Sequence, residues 1–132
     1  MINQFTWRDY MEFTQDKPIF QQVAEFIENQ ILDGLLLPDE QTPSTNEFQK
    51  IYEINPATAR KGLNILVDEG IIYKKRGMGM YVSENAKEII LNKRQEEFFN
   101  THIPQIIKEL KRINITPAQL ALEIEKRQKE GK

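Results

Sequence analysis

The stretch INPATARKGLNILVDEGIIYKKRGMGMYV, residues 54–82, changes its period part-way along, and that change decides the fold. Asn55-Pro56 opens a helix: Asn is a strong N-cap, and Pro at the first helical position gives up a donor that would have no intrahelical partner there. Ala59, Leu63, Leu66 and Val67 form one apolar stripe running to about Glu69, and Gly70 suits the left-handed residue that closes a helix. The pattern then becomes extended. Ile71-Ile72-Tyr73 and Met80-Tyr81-Val82 are short β-prone runs joined by the Gly-containing KKRGMG, which together read as a β-hairpin.

Upstream, Ser44 followed three residues later by Glu47 is a capping box, so a short helix carrying Phe48, Ile51 and Tyr52 starts there and ends in a tight turn at Glu53-Ile54. Further back, KPIFQQVAEFIENQILDG places Ile19, Val23, Ile27 and Ile31 on one face, with Pro18 marking the start of a helix and Gly34 its end. LLLPDEQTP is a Pro-punctuated extended connection. Two helices joined by a short turn and followed by a hairpin predict a helix-turn-helix with a wing. Downstream of Glu84 the pattern is helical throughout. Phe99, Ile103, Ile106, Leu110 and Ile113 step by the spacing of a heptad seam, interrupted by Pro104, which predicts either a kink or a fresh helix starting near Thr101. Thr116-Pro117-Ala118-Gln119 starts a last helix with Leu120, Ala121 and Ile124 on one side. Two such helices cannot bury a core alone, so their seams need the winged domain or a second copy of the chain.

The expected fold class is therefore α+β, mostly α: an N-terminal winged helix-turn-helix of three helices plus a β-hairpin wing, followed by a short two-helix dimerisation region. Its expected parts are an N-terminal extension (1–16, with Trp7, Tyr10 and Phe13 in a rough period of three), the winged domain (17–82) and the helical region (83–132). A chain of 132 residues suits one domain with a short appendage. Zero Cys excludes a disulfide framework and a thiolate metal site. No apolar run approaches the roughly 20 residues needed to span a bilayer, and MINQFTWRDYMEF lacks the basic flank and apolar stretch of a signal peptide, so a cytoplasmic protein with no membrane partner is expected.

The net charge of −2 argues against DNA binding only if it is taken as one number. Residues 1–53 carry three Lys/Arg against ten Asp/Glu, whereas residues 54–82 carry five against two, so positive charge is concentrated on the predicted reader helix and hairpin. On that helix Ala57, Arg60, Lys61, Asn64 and Asp68 share the side opposite the core stripe. Arg can pair bidentately with guanine, Asn can read adenine, Lys can hold phosphate and a small Ala permits close approach; solvated surface charge is the competing explanation. Lys74, Lys75 and Arg76 follow one another at the predicted hairpin tip, where Gly77 and Gly79 let backbone approach a phosphate or a minor groove. Ser44, Thr45 and Asn46 offer donors at a helix N-terminus, with capping as the main task of Ser44.

No catalytic constellation is present, so no enzyme activity, cofactor or metal is expected. The single His102 has no Cys or acidic partner at ligand spacing, and KKRGMG lies between strands instead of opening a helix as a phosphate loop does. Phe98, Phe99 and His102 are either core or one wall of a small-molecule effector site between the helical region and the winged domain. Two functions compete: a homodimeric DNA-binding regulator on a pseudo-palindromic double-stranded operator, and a winged-helix module that binds another protein through its acidic first 53 residues and binds DNA only weakly and non-specifically.

Together, PIFQQVAEFIENQILDG, LLLPDEQTPSTNEF and INPATARKGLNILVDEGIIYKKRGMGMYV resemble the winged-helix domain of the GntR family of bacterial transcription regulators, over about residues 17–82. The short helical tail resembles the YtrA subfamily, in which two helices serve dimerisation. The resemblance implies DNA contacts at Ser44, Asn46, Asn55, Thr58, Arg60, Lys61, Arg76 and Gly77, and dimerisation through Phe99, Ile103, Ile106, Leu110, Ile113, Leu120 and Ile124. It also implies an autoregulatory repressor of an ABC-transporter operon. Two departures stand out: the family's usual Arg after the Pro43-Ser44 motif is Asn46, and its usual Pro-Gly before the second helix is Pro38-Asp39.

Overall fold

The computed structural model describes residues 14–131, so the aromatic residues of the N-terminal extension lie outside the described part. Two compact units divide between Leu91 and Asn92. In the first, α1 (Ile19–Leu32) follows Pro18 and ends at Asp33, with Gly34 at φ +78°. Val23, Phe26, Ile27 and Ile31 are its buried face. The buried Gln22 ties down the segment before it: its Oε1 accepts from the Thr14 N–H at 2.9 Å, and its Nε2 donates to the carbonyls of Thr14 at 2.9 Å and Lys17 at 2.8 Å.

Helix α2 (Thr45–Tyr52) starts in the expected capping box, with Glu47 N–H donating to Ser44 Oγ at 3.1 Å and Ser44 N–H to Glu47 Oε1 at 2.8 Å. Phe48 is fully buried and meets Phe26 edge-on, with ring centroids 6.3 Å apart. The turn passes through Glu53 at φ +58° and the buried Ile54, and α3 (Pro56–Asp68) begins where Asn55 Oδ1 accepts the Ala57 N–H at 2.8 Å. Gly70, at φ +78°, turns the chain out of α3.

The hairpin pairs β1 (Ile72–Lys75) with β2 (Gly79–Val82), from Ile72 opposite Val82 to Lys75 opposite Gly79. Lys74 and Lys75 are thus paired strand residues, not part of the tip; the tip is Arg76-Gly77-Met78, closed by Met78 N–H donating to the Lys75 carbonyl at 2.9 Å. The connection before α2 does more than link helices. Asp39 N–H donates to the Val82 carbonyl (2.8 Å), Val82 N–H to the Glu40 carbonyl (2.9 Å) and Thr42 N–H to the Met80 carbonyl (2.9 Å), while Gln41 bridges Tyr81. Residues 39–42 therefore cover the outer edge of β2, whose backbone groups would otherwise be left for solvent or another chain.

Helix α4 (Ala86–Glu97) contributes Ala86 and Ile90 to the core of the first unit. The break expected at Pro104 takes a specific form. Helix α5 (Ile103–Ile113) has Pro104 in its first turn, but it is joined to α4 by one π-helical turn, Phe98–His102, in which Ile103 N–H donates to the Phe98 carbonyl. Pro104 has no N–H for the usual acceptor four residues back, and the wider turn accommodates that loss without ending the helix. Asn114 at φ +62° stops α5, and the Thr116–Gln119 capping box starts α6 (Pro117–Lys129). On the expected seam Leu110 is buried and Ile103, Ile106 and Leu120 are half-buried, whereas Phe99, Ile113 and Ile124 are exposed.

Helices α1 and α3 cross in close contact at Gly62. A Cβ on Gly62 would stand 2.6 Å from the Phe20 carbonyl oxygen and 2.9 Å from Val23 Cβ. Replacing a mid-helix Gly by Ala ordinarily gains about 1 kcal/mol. Here the obstacle is backbone that cannot swing aside, and overpacking costs about 1–3 kcal/mol. Gly62→Ala is expected to lower stability by a net of up to about 2 kcal/mol, read as a reduced midpoint in urea unfolding followed by circular dichroism.

Candidate nucleic-acid interface

A shallow cleft of about 250 Å³ opens between the start of α2, the exposed side of α3 and the inner face of the wing. Ser44, Thr45, Arg60, Asn64 and Lys74, all singled out from the sequence, line it, together with Gln41 and Met80, which were not. Three successive elements thus present their polar groups to one side of the first unit. Helix α3 does so by rotation: Ala59, Gly62, Leu63 and Leu66 are buried, so Ala57, Arg60 and Asn64 face outward.

The remaining sequence candidates fall elsewhere. Asn46 is exposed on the first turn of α2. Asn55 and Thr58 border a separate depression of about 290 Å³ with Ile19, Tyr52, Glu53 and Ile54. The Lys61 ammonium sits over the Phe20 ring, 4.1 Å from its centroid, and so covers α1 instead of turning into the cleft. Lys75 lies over Tyr81 at 4.4 Å, on the opposite face of the wing from Lys74, as alternation along a strand requires. Arg76 and Gly77 are exposed at the tip, Gly77 with φ +72°. Ser44 Oγ is engaged by the Glu47 N–H, which agrees with capping as its main task.

Sequence reasoning also missed the anchor on the outer side of the wing. Tyr73 OH donates to Asp39 Oδ1 at 2.8 Å, and the Tyr73 and Tyr81 rings lie 6.1 Å apart. The Tyr73 phenol is held above its ordinary range, chiefly by that hydrogen bond, with desolvation and then the Asp39 charge adding to it. In the second unit, His102 lies 5.8 Å from Phe98, which in turn meets Phe99 edge-on at 5.9 Å. Among the described residues no group of three or more His, Cys, Asp or Glu side chains is placed to hold a metal ion, and no helix is long and apolar enough to cross a membrane.

Residues 19–82 match the family model described as bacterial regulatory proteins, gntR family. The chain is also 32% identical over 109 residues to the HTH-type transcriptional repressor YtrA of Bacillus subtilis (strain 168), covering 83% of this chain and 78% of that protein. The chain belongs to the GntR family. The likeness to YtrA runs past the winged domain into the helical region, as the short-tailed subfamily resemblance implies. Among solved structures, a GntR-family regulator from Bacteroides thetaiotaomicron superposes with a TM-score of 0.67 at 28% identity, over 83% of this chain and 98% of that one. AraR(DBD), in complex with operator ORX1, matches at 0.51 and 31% identity over 55% of this chain and 93% of that one. This GntR protein is accordingly a DNA-binding transcription regulator of winged-helix fold, and the relatives it resembles are regulators, not enzymes.

The tyrosine anchor makes a prediction about pH. Since the fold favours the protonated phenol, any stability lent by the Tyr73–Asp39 bond is fully present below the ordinary tyrosine range and is lost as pH rises through Tyr73's raised one. Asp39→Gly removes the acceptor and adopts φ +67° without steric cost. Its Tyr73 resonance is expected to titrate lower than in the wild type when followed by ¹³C-tyrosine NMR.

Proposed function

We propose that this chain is a homodimeric, cytoplasmic repressor that occupies a pseudo-palindromic operator and silences its own operon and an ABC-transporter operon. The observation that carries the DNA side of this reading is the shared cleft: α2, α3 and the wing bring Ser44, Arg60, Asn64 and Lys74 to one face, with Arg76 at the tip beside it. In this reading α3 enters the major groove. Arg60 pairs with guanine O6 and N7, Asn64 reads an adenine, and the amides at the start of α2 meet a phosphate. Arg76 and the glycine-flanked tip reach the backbone or the adjoining minor groove. Asn46, Asn55, Thr58, Lys61 and Lys75 form an outer ring of contacts, and Lys61 and Lys75 must leave their aromatic seats to reach phosphate.

Repression is supported by likeness to the repressor YtrA and operator binding by AraR(DBD), which was solved on one, while the target operons follow from the resemblance of the sequence to the short-tailed subfamily. The homodimer rests on apolar surface that the second unit leaves uncovered: Phe99 is 65% exposed, Ile113 49% and Ile124 48%. A second copy burying these alongside Ile103, Ile106, Leu110 and Leu120 would remove them from water, and a pseudo-palindromic site would then require the two α3 helices to meet half-sites about 34–36 Å apart, one turn of B-DNA.

Two experiments test the proposal. In fluorescence anisotropy on a duplex selected by the wild-type chain from a random-sequence library, Arg60→Ala is expected to lose about 1–3 kcal/mol and to relax preference at one base pair. Arg76→Ala is expected to weaken all sequences alike and to reduce the slope of log K against log salt by about one. Weak, sequence-independent binding by the wild type would instead favour a protein-interaction module. In analytical ultracentrifugation, Ile113→Glu should shift the chain from dimer to monomer and lose operator binding with it; an unchanged dimer would remove that seam from the interface.

A further inference from the structure

We propose that Gln41 is a positioning residue for the wing, locking the hairpin tip to the segment that leads into α2 so that Arg76 and Gly77 are presented in fixed relation to Arg60. This rests on the DNA-binding reading above and adds a residue that neither the basic pattern nor the family resemblance singles out.

Gln41 lies between two main-chain anchors, Asp39 N–H to the Val82 carbonyl at 2.8 Å and Thr42 N–H to the Met80 carbonyl at 2.9 Å, so its own backbone is held on β2. From there its Nε2 donates to the carbonyl of Met78, a residue of the tip itself, at 2.9 Å. Tyr81 OH donates to the same carbonyl at 3.2 Å, so two side chains hold one peptide of the turn. Gly79 provides the space. Its φ is +102°, and a Cβ there would come within 2.5 Å of Gln41 Nε2. The second glycine of Gly77-Met78-Gly79 is thus used by the amide that reaches in beside it, as well as by the turn.

A two-stranded hairpin with a glycine-rich tip is marginally ordered by itself, and ordering it on DNA would subtract from affinity. Pinning the Met78 carbonyl meets that cost in advance. Because residue 42 is followed directly by Pro43 and Ser44, the same strap references the tip to the start of α2. Gln41 carries no charge and its Nε2 is engaged by the Met78 carbonyl, so its part is geometric.

The test uses full-length Gln41→Met, which keeps the length of the side chain and removes the amide, on the library-selected duplex. Affinity is expected to fall about threefold to tenfold, the worth of one net hydrogen bond. The unfolding midpoint should fall by no more than the loss of that one exposed hydrogen bond allows. In ¹⁵N relaxation the Gly77 and Gly79 amides should become more mobile while those of α3 do not. In an Arg76→Ala background the loss should become smaller, since the tip then no longer has its charged contact to position. An equal loss in both backgrounds would mean that Gln41 touches DNA itself and would overturn the proposal, as would an unchanged affinity or an unchanged tip. Failure of the wild-type chain to select any duplex would overturn the underlying function, whereas selective wild-type binding with an indifferent Gln41→Met overturns the wing assignment alone.

Discussion

The close approach of α3 to α1 at Gly62 is the constraint on which the rest of the winged domain depends. A helix advances about 100° per residue, so whichever residue is pressed against the neighbouring helix sets the direction of all the others. With Gly62 against the Phe20 carbonyl and Val23, the core receives Ala59, Leu63 and Leu66, and the cleft receives Arg60 and Asn64. The same rotation lays Lys61 across Phe20, so one of the two adjacent basic residues shields the crossing while the other faces out. A side chain larger than hydrogen at position 62 would have to push the two helices apart, and the reader residues would move with the axis.

What was legible in the sequence was mostly local. Caps and helix stops depend on one to four neighbouring residues, which is why Ser44–Glu47, Asn55-Pro56, Gly70 and Thr116–Gln119 could be placed before any coordinates and lie where expected. The strap over β2 was not legible, because main-chain pairing between residues 39–42 and 80–82 leaves no signature in residue type. Nor was the hairpin register, which turned Lys74 and Lys75 from tip residues into strand residues on opposite faces. The departure at Asp39 acquires a physical meaning only in three dimensions. The backbone there has φ +67°, a conformation suited to the Gly usual in the family, and Asp takes it while gaining the Tyr73 hydroxyl as a partner. In the helical tail, the heptad count ran straight through residues 98–102, where a π turn holds more residues than an α turn.

The charge distribution shows why a net charge of −2 misleads. Fields from exposed groups fade within about 8–10 Å at physiological salt, so what a phosphate feels is the few cations nearest to it. Lys74 and Arg60 border the cleft and Arg76 is exposed at the tip, whereas the acidic excess belongs to residues 1–53, where part of it is already engaged: Glu25 pairs with Lys17 at 3.1 Å and Asp39 with the Tyr73 hydroxyl. The exposed Lys17–Glu25 ion pair adds little stability, but it offsets one of those acidic charges.

The division of α3 into a buried strip and an outward strip also bears on how such a protein can diverge. Ala59, Gly62, Leu63 and Leu66 answer to packing, and almost any change there is felt by the whole domain. Ala57, Arg60 and Asn64 answer only to whatever lies outside. Descendants of this chain can therefore exchange their outward residues one at a time, acquiring new sequence preferences while inheriting the same scaffold, so that one ancestral fold can supply many separate regulatory circuits.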